Sequence, residues 1–348
     1  MNLHLLIPAL FWPGASLPEI YRDLALPSLE NLLAKGLCTN DESTAMAIEA
    51  WLCRAFGVEQ QRDWPVAPIT LQVDGKGGLK AEEDYWIRAD PVHLRIERDQ
   101  VVLADSRIFK ISADESDQFT GFLNLHFAGS DQEIVFMPLQ PDRWYLRITK
   151  MSPAKTHVLS EAANKSINEL LPFGTNGMSW CQLFNEIQML LHEHPLNQYR
   201  EERGELAINS TWFWGGGIMP KAVVCPYTQV WSNDVLAGSL ALASGTDHSQ
   251  LPLNAAIWYQ SSTSANHLVL LNALHGKAQY ADAYGWRESL KELEQNWFAP
   301  LRAMLEQGKL KQLTLTAISA NKTKNFVLRR ADLRKFWRGA KPLSIYAD

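Results

Sequence analysis

Nine consecutive residues, Asn209-Ser210-Thr211-Trp212-Phe213-Trp214-Gly215-Gly216-Gly217, set two indoles beside three glycines. Glycine lets a backbone approach a ligand closely, and a row of free amides can cradle an anion. Trp212 and Trp214, two apart, share one face of an extended segment and could wall such a cradle. The competing reading of this loop is a strand end, with tryptophans in the core and glycines turning the chain. Upstream, Asn197 and Arg200 bring a carboxamide and a guanidinium, the latter suited to clamping a carboxylate or phosphate. Its plainer use is a salt bridge to a neighbouring glutamate. Arg88, Asp90 and His93 form a third group on one alternating segment. In a regular strand, positions 90 and 93 point to opposite faces, so they cannot chelate one metal without a bend at Pro91. The bland reading of this group is a hydrogen-bonded structural pair.

Other chemistries are disfavoured. There is no Gly-x-Ser-x-Gly elbow, and the glycine run lacks the Lys-Ser/Thr of a phosphate loop, since Lys221 follows Pro220. The four cysteines, Cys38, Cys53, Cys181 and Cys225, include no Cys-x-x-Cys pair, which argues against zinc and against a redox dithiol. Free thiols fit a reducing cytosol. No cofactor and no metal are expected. A net charge of -5 argues against general nucleic-acid binding. Arg329–Arg338, basic with Phe336 and Trp337 inside it, is a local exception. It reads either as a partner or nucleic-acid contact or as a short amphipathic helix. Met1–Pro8 has neither a basic region nor a cleavage site, and no apolar run reaches the roughly 18 residues of a membrane span. The expectation is a cytoplasmic protein without a membrane partner.

The elements that must position these groups follow from periodicity. The chain has 348 residues, 46% of them hydrophobic, enough for one large domain or two modest ones. Strands are expected at Leu3–Ile7, near Thr70–Val73, twice within Tyr85–Asp105, and at Glu133–Met137 and Arg143–Ile148. More are expected at Ala222–Val224, Ala255–Trp258, Leu268–Leu271 and Leu313–Ala317. Helices are expected at Ser28–Lys35, Thr44–Phe56, Ser112–Phe127, Ser179–His192, Val235–Ser244 and Trp286–Gln307. This alternation predicts an α/β, doubly wound, mainly parallel sheet with helices on both faces. Residues 1–59 and 176–348 would form its core, and 60–175 a smaller inserted α+β subdomain.

Several of these segments resemble, in order, the archaeal-type cofactor-independent phosphoglycerate mutases of the alkaline phosphatase superfamily. Leu26-Pro27-Ser28-Leu29-Glu30 through Gly36 is similar to the proline-led helix after that family's first metal site. Arg88-Ala89-Asp90-Pro91-Val92-His93-Leu94 matches one of its strands. The longest match is His194-Pro195-Leu196-Asn197-Gln198-Tyr199-Arg200, then Gly204, then Ala207 to Gly217. A closer resemblance, over nearly the whole chain, is to bacterial RpfE-type regulatory proteins, which share the Ala-Asp-Pro-Val-His-Leu strand, the glycine loop and the Phe336-Trp337-Arg338 ending.

The resemblance implies two divalent metals and a Ser or Thr nucleophile, and the sequence departs from it there. An Asp-Gly should close the first strand, which instead runs Ile7-Pro8-Ala9-Leu10-Phe11-Trp12. The stretch after Leu271 offers His275 alone, and Ile318-Ser319-Ala320-Asn321-Lys322 replaces a late Asp-His pair. Hard divalent cations need several carboxylates and imidazoles. The expectation is a non-catalytic relative with a regulatory role, binding a small anion or a protein partner through Asn197, Arg200, Asn209, Ser210, Trp212, Trp214, Gly215, Gly216, Gly217, Arg88, Asp90 and His93. The alternatives are a phosphomutase or phosphatase with non-dimetal chemistry, and a protein-interaction module.

Overall fold

The computed structural model describes residues 1–13, 18–41, 46–76, 84–129, 133–149, 151, 153–262, 265–319 and 322–347. The expected positions Ala320 and Asn321, and part of the expected helix start at Thr44, lie outside these. Among the described residues the strands are β1 (Asn2–Pro8), β2 (Leu37–Asp41), β3 (Trp86–Glu97), β4 (Gln100–Ala104), β5 (Ile134–Gln140) and β6 (Arg143–Ile148). They continue as β7 (Ser210–Gly217), β8 (Gln229–Trp231), β9 (Asp247–Ser249), β10 (Asn266–Leu270), β11 (Gln312–Ile318) and β12 (Thr323–Arg329).

The chain divides into two compact units, Met1–Phe56 with Val224–Asp348, and Gly57–Val223. The first holds a seven-stranded sheet of order β2-β12-β11-β1-β10-β8-β9. β11, β1, β10, β8 and β9 run parallel, and β12 and β2 close one side antiparallel. β1 is central because it is apolar on both faces, as a strand covered by helices on each side requires. Leu3, Leu5 and Ile7 join one core with Leu29, Leu32, Trp286, Leu290 and Leu313.

One helix pair in this unit is joined by a buried carboxylate. Residues Glu294–Phe298 make a π-helical turn between the helices Ala283–Leu293 and Ala299–Glu306. The turn directs Glu294 to the start of the helix Pro27–Lys35. There Ser28 N and Leu29 N donate to Oε1 and Oε2 at 2.6 and 3.0 Å. Those amides have no partner within their own helix, and an anion also suits the positive end of its dipole.

In the second unit the strands named above all pair antiparallel. Its strands run β4-β3-β6-β5, and β7 pairs with β3. That pairing draws residues 176–223 into this unit, whereas the sequence reading ended an inserted subdomain at 175. The helix Ala113–Phe127 begins with a reciprocal capping box between Ser112 and Glu115.

Four local expectations differ from the structure. Thr70–Val73 lies in the helix Val66–Asp74, seven of whose nine residues are buried. A helix without a polar face shows no helical period in its sequence. Ala255–Trp258 opens the helix Ala255–Ser261, capped by Asn254 accepting from Ile257 N at 2.9 Å. Ala222–Val224 forms no strand. The basic stretch from Arg329 follows β12 into a single 3-10 turn rather than an amphipathic helix.

Candidate functional site

The segment from His194 to Gly217 is helix, strand and clasp rather than loop, and His194, Asn197, Arg200 and Asn209 bond inward. His194 caps the helix Pro195–Glu202, its Nδ1 accepting from Leu196 N at 3.2 Å, and Pro195 occupies the first turn, where no amide partner is needed. Gly204, at φ 72°, follows the helix end in the left-handed conformation that stops helices. Asn197 is buried. Its Nδ2 donates to Leu191 O and Ile208 O at 2.7 and 3.0 Å, and its Oδ1 accepts from Ile208 N at 2.8 Å. Asn209 repeats the device one strand further on. Its Oδ1 accepts from Leu94 N at 2.7 Å, and its Nδ2 donates to Leu94 O at 2.8 Å. A carboxamide carries one donor group and one acceptor, as a peptide does. Each asparagine therefore stands in for one more rung of a β-ladder.

Arg200 is 0% exposed. Nε donates to Leu206 O, Nη2 to Lys110 O and Nη1 to Glu115 Oε1, at 2.8, 2.8 and 2.9 Å. The guanidinium thus ties the helix Pro195–Glu202 to the chain before the helix Ala113–Phe127. Burial pushes Glu115 up, but the Ser112 amide and the Arg200 charge outweigh it and hold the carboxyl below its usual range.

Arg88, Asp90 and Trp214 meet in one cluster. Arg88 Nε and Nη2 grip Asp90 at 2.7 to 2.9 Å. Trp214 Nε1 and Trp144 N also donate to that carboxylate, at 2.8 and 3.2 Å. The Arg88 guanidinium carbon lies 5.1 Å from the ring centres of both Tyr145 and Trp214, within cation–π range. Burial pushes Asp90 up to about 6, against the downward pull of the arginine. A perturbed carboxyl is a functional-site signal, but here both oxygens already accept protein donors. His93 turns elsewhere, its Nδ1 bonding Ala207 O at 2.8 Å, and burial lowers its pKa.

The remaining members of the set line β7. Trp212 Nε1 donates to His157 O at 2.9 Å. Ser210 Oγ and Thr211 Oγ1 are buried and have no hydrogen-bond partner among the described residues. The three glycines face protein. A Cβ on Gly215 would lie 2.9 Å from Val66 Cβ, one on Gly216 2.1 Å from Tyr85 Oη, and one on Gly217 2.7 Å from Pro65 Cβ. Gly215 also has φ 66° beside the register shift where β7 carries an extra residue against β3, a bulge position that glycine suits. The glycines admit the helix Val66–Asp74 and Tyr85 against the strand. The twelve expected site residues thus fall into separate clusters, Arg88–Asp90–Trp214, Asn197–Arg200 and Asn209–Leu94, with His93, Ser210, Trp212 and the glycines placed individually.

The positions where metal ligands are expected lie in the other unit, at the C-terminal ends of its parallel strands, the usual ligand edge of such sheets. After β1, Ala9 N donates to Ile318 O at 2.8 Å and Trp286 Nε1 donates to Ala9 O at 2.9 Å. The Trp12 and Tyr21 rings meet Trp286 edge-on at 5.5 and 5.7 Å, and Leu10 and Phe11 are buried. After β10, Lys277 Nζ bonds Ser289 Oγ. Among the described residues, no three His, Cys, Asp or Glu side chains are grouped to hold a metal ion. These donors do not fit a pair of divalent cations.

Sequence reasoning missed His4. Tyr227 Oη meets its Nδ1 at 2.8 Å, its Nε2 meets Thr316 Oγ1 at 2.6 Å, and Thr316 Oγ1 donates to Asn325 Oδ1 at 2.5 Å. Thr316 has one proton to give, so Nε2 carries the imidazole proton and Tyr227 donates to Nδ1. Burial drives the His4 pKa from 6.5 to about 4. The signal was a lone polar residue within Leu3-His4-Leu5-Leu6-Ile7.

No known family model matches this chain. A 2,3-bisphosphoglycerate-independent phosphoglycerate mutase from Methanosarcina barkeri is 38% identical over 153 residues, 43% of this chain and 37% of that protein. Another from Methanosarcina mazei is 28% identical over 140 residues, 39% of this chain and 35% of that protein. The matched stretch thus spans little more than a third of these relatives. Among solved structures, the PH0037 protein from Pyrococcus horikoshii has a TM-score of 0.53 at 11% identity, covering 94% of this chain and 87% of that one. A cofactor-independent phosphoglycerate mutase from Thermoplasma acidophilum has a TM-score of 0.49 at 15% identity, covering 99% and 94%. The fold is α/β with a mainly parallel seven-stranded sheet, shared with the PH0037 protein. No helix among the described residues is long and apolar enough to cross a membrane.

Proposed function

We propose that this chain is a non-catalytic, phosphoglycerate mutase-like protein of the bacterial RpfE type, acting in the cytoplasm through a partner rather than by turnover. The observation that carries the reading is the filled end of β1. Where the resemblance implies a carboxylate ligand, Ala9, Leu10, Phe11 and Trp12 stand, locked by Trp286. An apolar plug cannot gather the charge of a phosphoryl group or bind a hard cation. The internal bonds of Arg200 and the close packing of Gly215 to Gly217 favour a protein partner over a small anion cradled at β7. This reading also accounts for the match to the mutases. The stretch from Asn197 to Gly217 preserves fold-forming clasps, which a chain can retain after its chemistry has gone. The test is to assay purified protein for phosphoglycerate mutase and phosphatase activity with added manganese. Background rates with and without the metal are expected; robust metal-dependent turnover would end the reading.

A further inference from the structure

The chain's densest run of cations carries its most exposed aromatic pair. Residues 329–341 hold six Lys and Arg against one carboxylate, Asp332, in a protein of net charge -5. Asp332 is already engaged, by Lys335 Nζ at 2.5 Å and by Arg329 N at 2.7 Å. Arg329, Arg330, Arg334, Arg338 and Lys341 are exposed. In the turn between them, Phe336 is 87% and Trp337 68% exposed, the two rings meeting edge to face at 5.2 Å. The turn is pinned to the fold. Arg338 Nη1 donates to Gly36 O at 3.0 Å, and Lys35 Nζ donates to Lys335 O. Leu37, 58% exposed, follows Gly36 directly.

We infer that residues 329–341 form a peripheral docking surface for an anionic phospholipid bilayer. Phenyl and indole rings settle at the boundary between headgroups and acyl chains, and each neighbouring cation adds attraction to an anionic surface. A pinned turn reaches that state without first paying to order itself. Nucleic acid shares the charge but fits the aromatics less well. Base stacking uses free ring faces, and in this T-shaped pair the edge of one ring already covers a face of the other. Peripheral attachment needs no membrane-spanning segment, and it holds whether or not the chain turns over a substrate, so it stands apart from the proposed function.

The experiment is co-sedimentation of the full chain with vesicles of phosphatidylcholine alone and with vesicles that also contain phosphatidylglycerol. Binding is expected only to the anionic vesicles and should fall as salt rises. Two surface variants, Phe336→Ser with Trp337→Ser, and Arg330→Ser with Arg334→Ser, should each weaken it at least about tenfold, on the scale of cationic and apolar contributions to interfacial binding. Unchanged melting temperatures would show that both variants fold. Absence of binding to anionic vesicles, or equal binding by folded variants, overturns the inference. So does single-stranded oligothymidylate binding that the variants abolish while vesicles leave the protein in solution.

Discussion

Protonating His4 should cost the fold more than titrating an ordinary histidine. In the folded chain Nδ1 accepts from Tyr227 and Nε2–H is spent on Thr316, whose own proton goes to Asn325. An imidazolium would carry a second N–H aimed at the tyrosine hydroxyl, within a site walled by the Trp51 ring at 5.4 Å. The folded value is about 4, against 6.5 for the free side chain. Because the folded value is depressed for a base, the unfolded chain binds more protons between those limits. Stability is therefore complete above pH 6.5, falls as pH drops toward 4, and changes no further below it. The full difference is about 3 kcal/mol. The assay is urea unfolding followed by tryptophan fluorescence, for wild type and His4→Leu, at about pH 7.5 and about pH 4.5. At about pH 7.5 the variant is less stable than wild type by about 1–3 kcal/mol, because Tyr227 and Thr316 lose a partner, and at about pH 4.5 that gap should close or invert. The informative quantity is the drop between the two pH values, in which carboxylates common to both proteins cancel. Wild type should drop by about 2–3 kcal/mol more than the variant. Equal drops would refute the buried relay.

Two further substitutions test the clasp around β7. Gly216→Ala puts a methyl group 2.1 Å from Tyr85 Oη, which should cost about 1–3 kcal/mol in thermal or urea melts. Adding Tyr85→Phe should recover part of that loss, and an unchanged melting point for Gly216→Ala would mean the strand and tyrosine are not in contact. Asn209→Asp keeps the shape but removes the donor to Leu94 O and sets a carboxylate against a carbonyl. A loss of about 1–3 kcal/mol is expected at neutral pH, shrinking in mild acid as the carboxyl protonates; a pH-independent loss would contradict the assigned bond.

Much of the sheet could be read from the sequence because burial leaves a pattern. The apolar run Leu3–Ile7 gave a buried strand, and the alternation in Tyr85–Asp105 resolved β3 and β4 with their turn. The helix Val66–Asp74 hid itself, since burial on every side erases the 3.6-residue period. β2 and β12 were missed for the opposite reason. Leu37-Cys38-Thr39-Asn40-Asp41 and Thr323-Lys324-Asn325 look polar, yet β12 pairs with β11 beside it in sequence and with β2 far back along the chain. The residues of the candidate site were also legible, as an unusual density of Asn, Arg, Trp and Gly. Their use was not. Arg200 answers to a carbonyl 90 positions away, and spacing along one segment cannot reveal which backbone groups need a donor.

The order of strands in the seven-stranded sheet sets a schedule for synthesis. β1 sits between β10 and β11, and Asn2 bonds Asn266, 264 positions later. At ribosomal speeds, roughly 13 to 50 seconds pass between making the two. Throughout that interval Leu3–Ile7 is an apolar ribbon with both edges open, the kind of segment on which nascent chains cross-associate. Gly57–Val223, contiguous in sequence, can meanwhile collapse on its own. A chaperone that binds short apolar stretches would find a customer in Leu3–Ile7, and overproduction without one should yield inclusion bodies rather than slowly folding soluble protein.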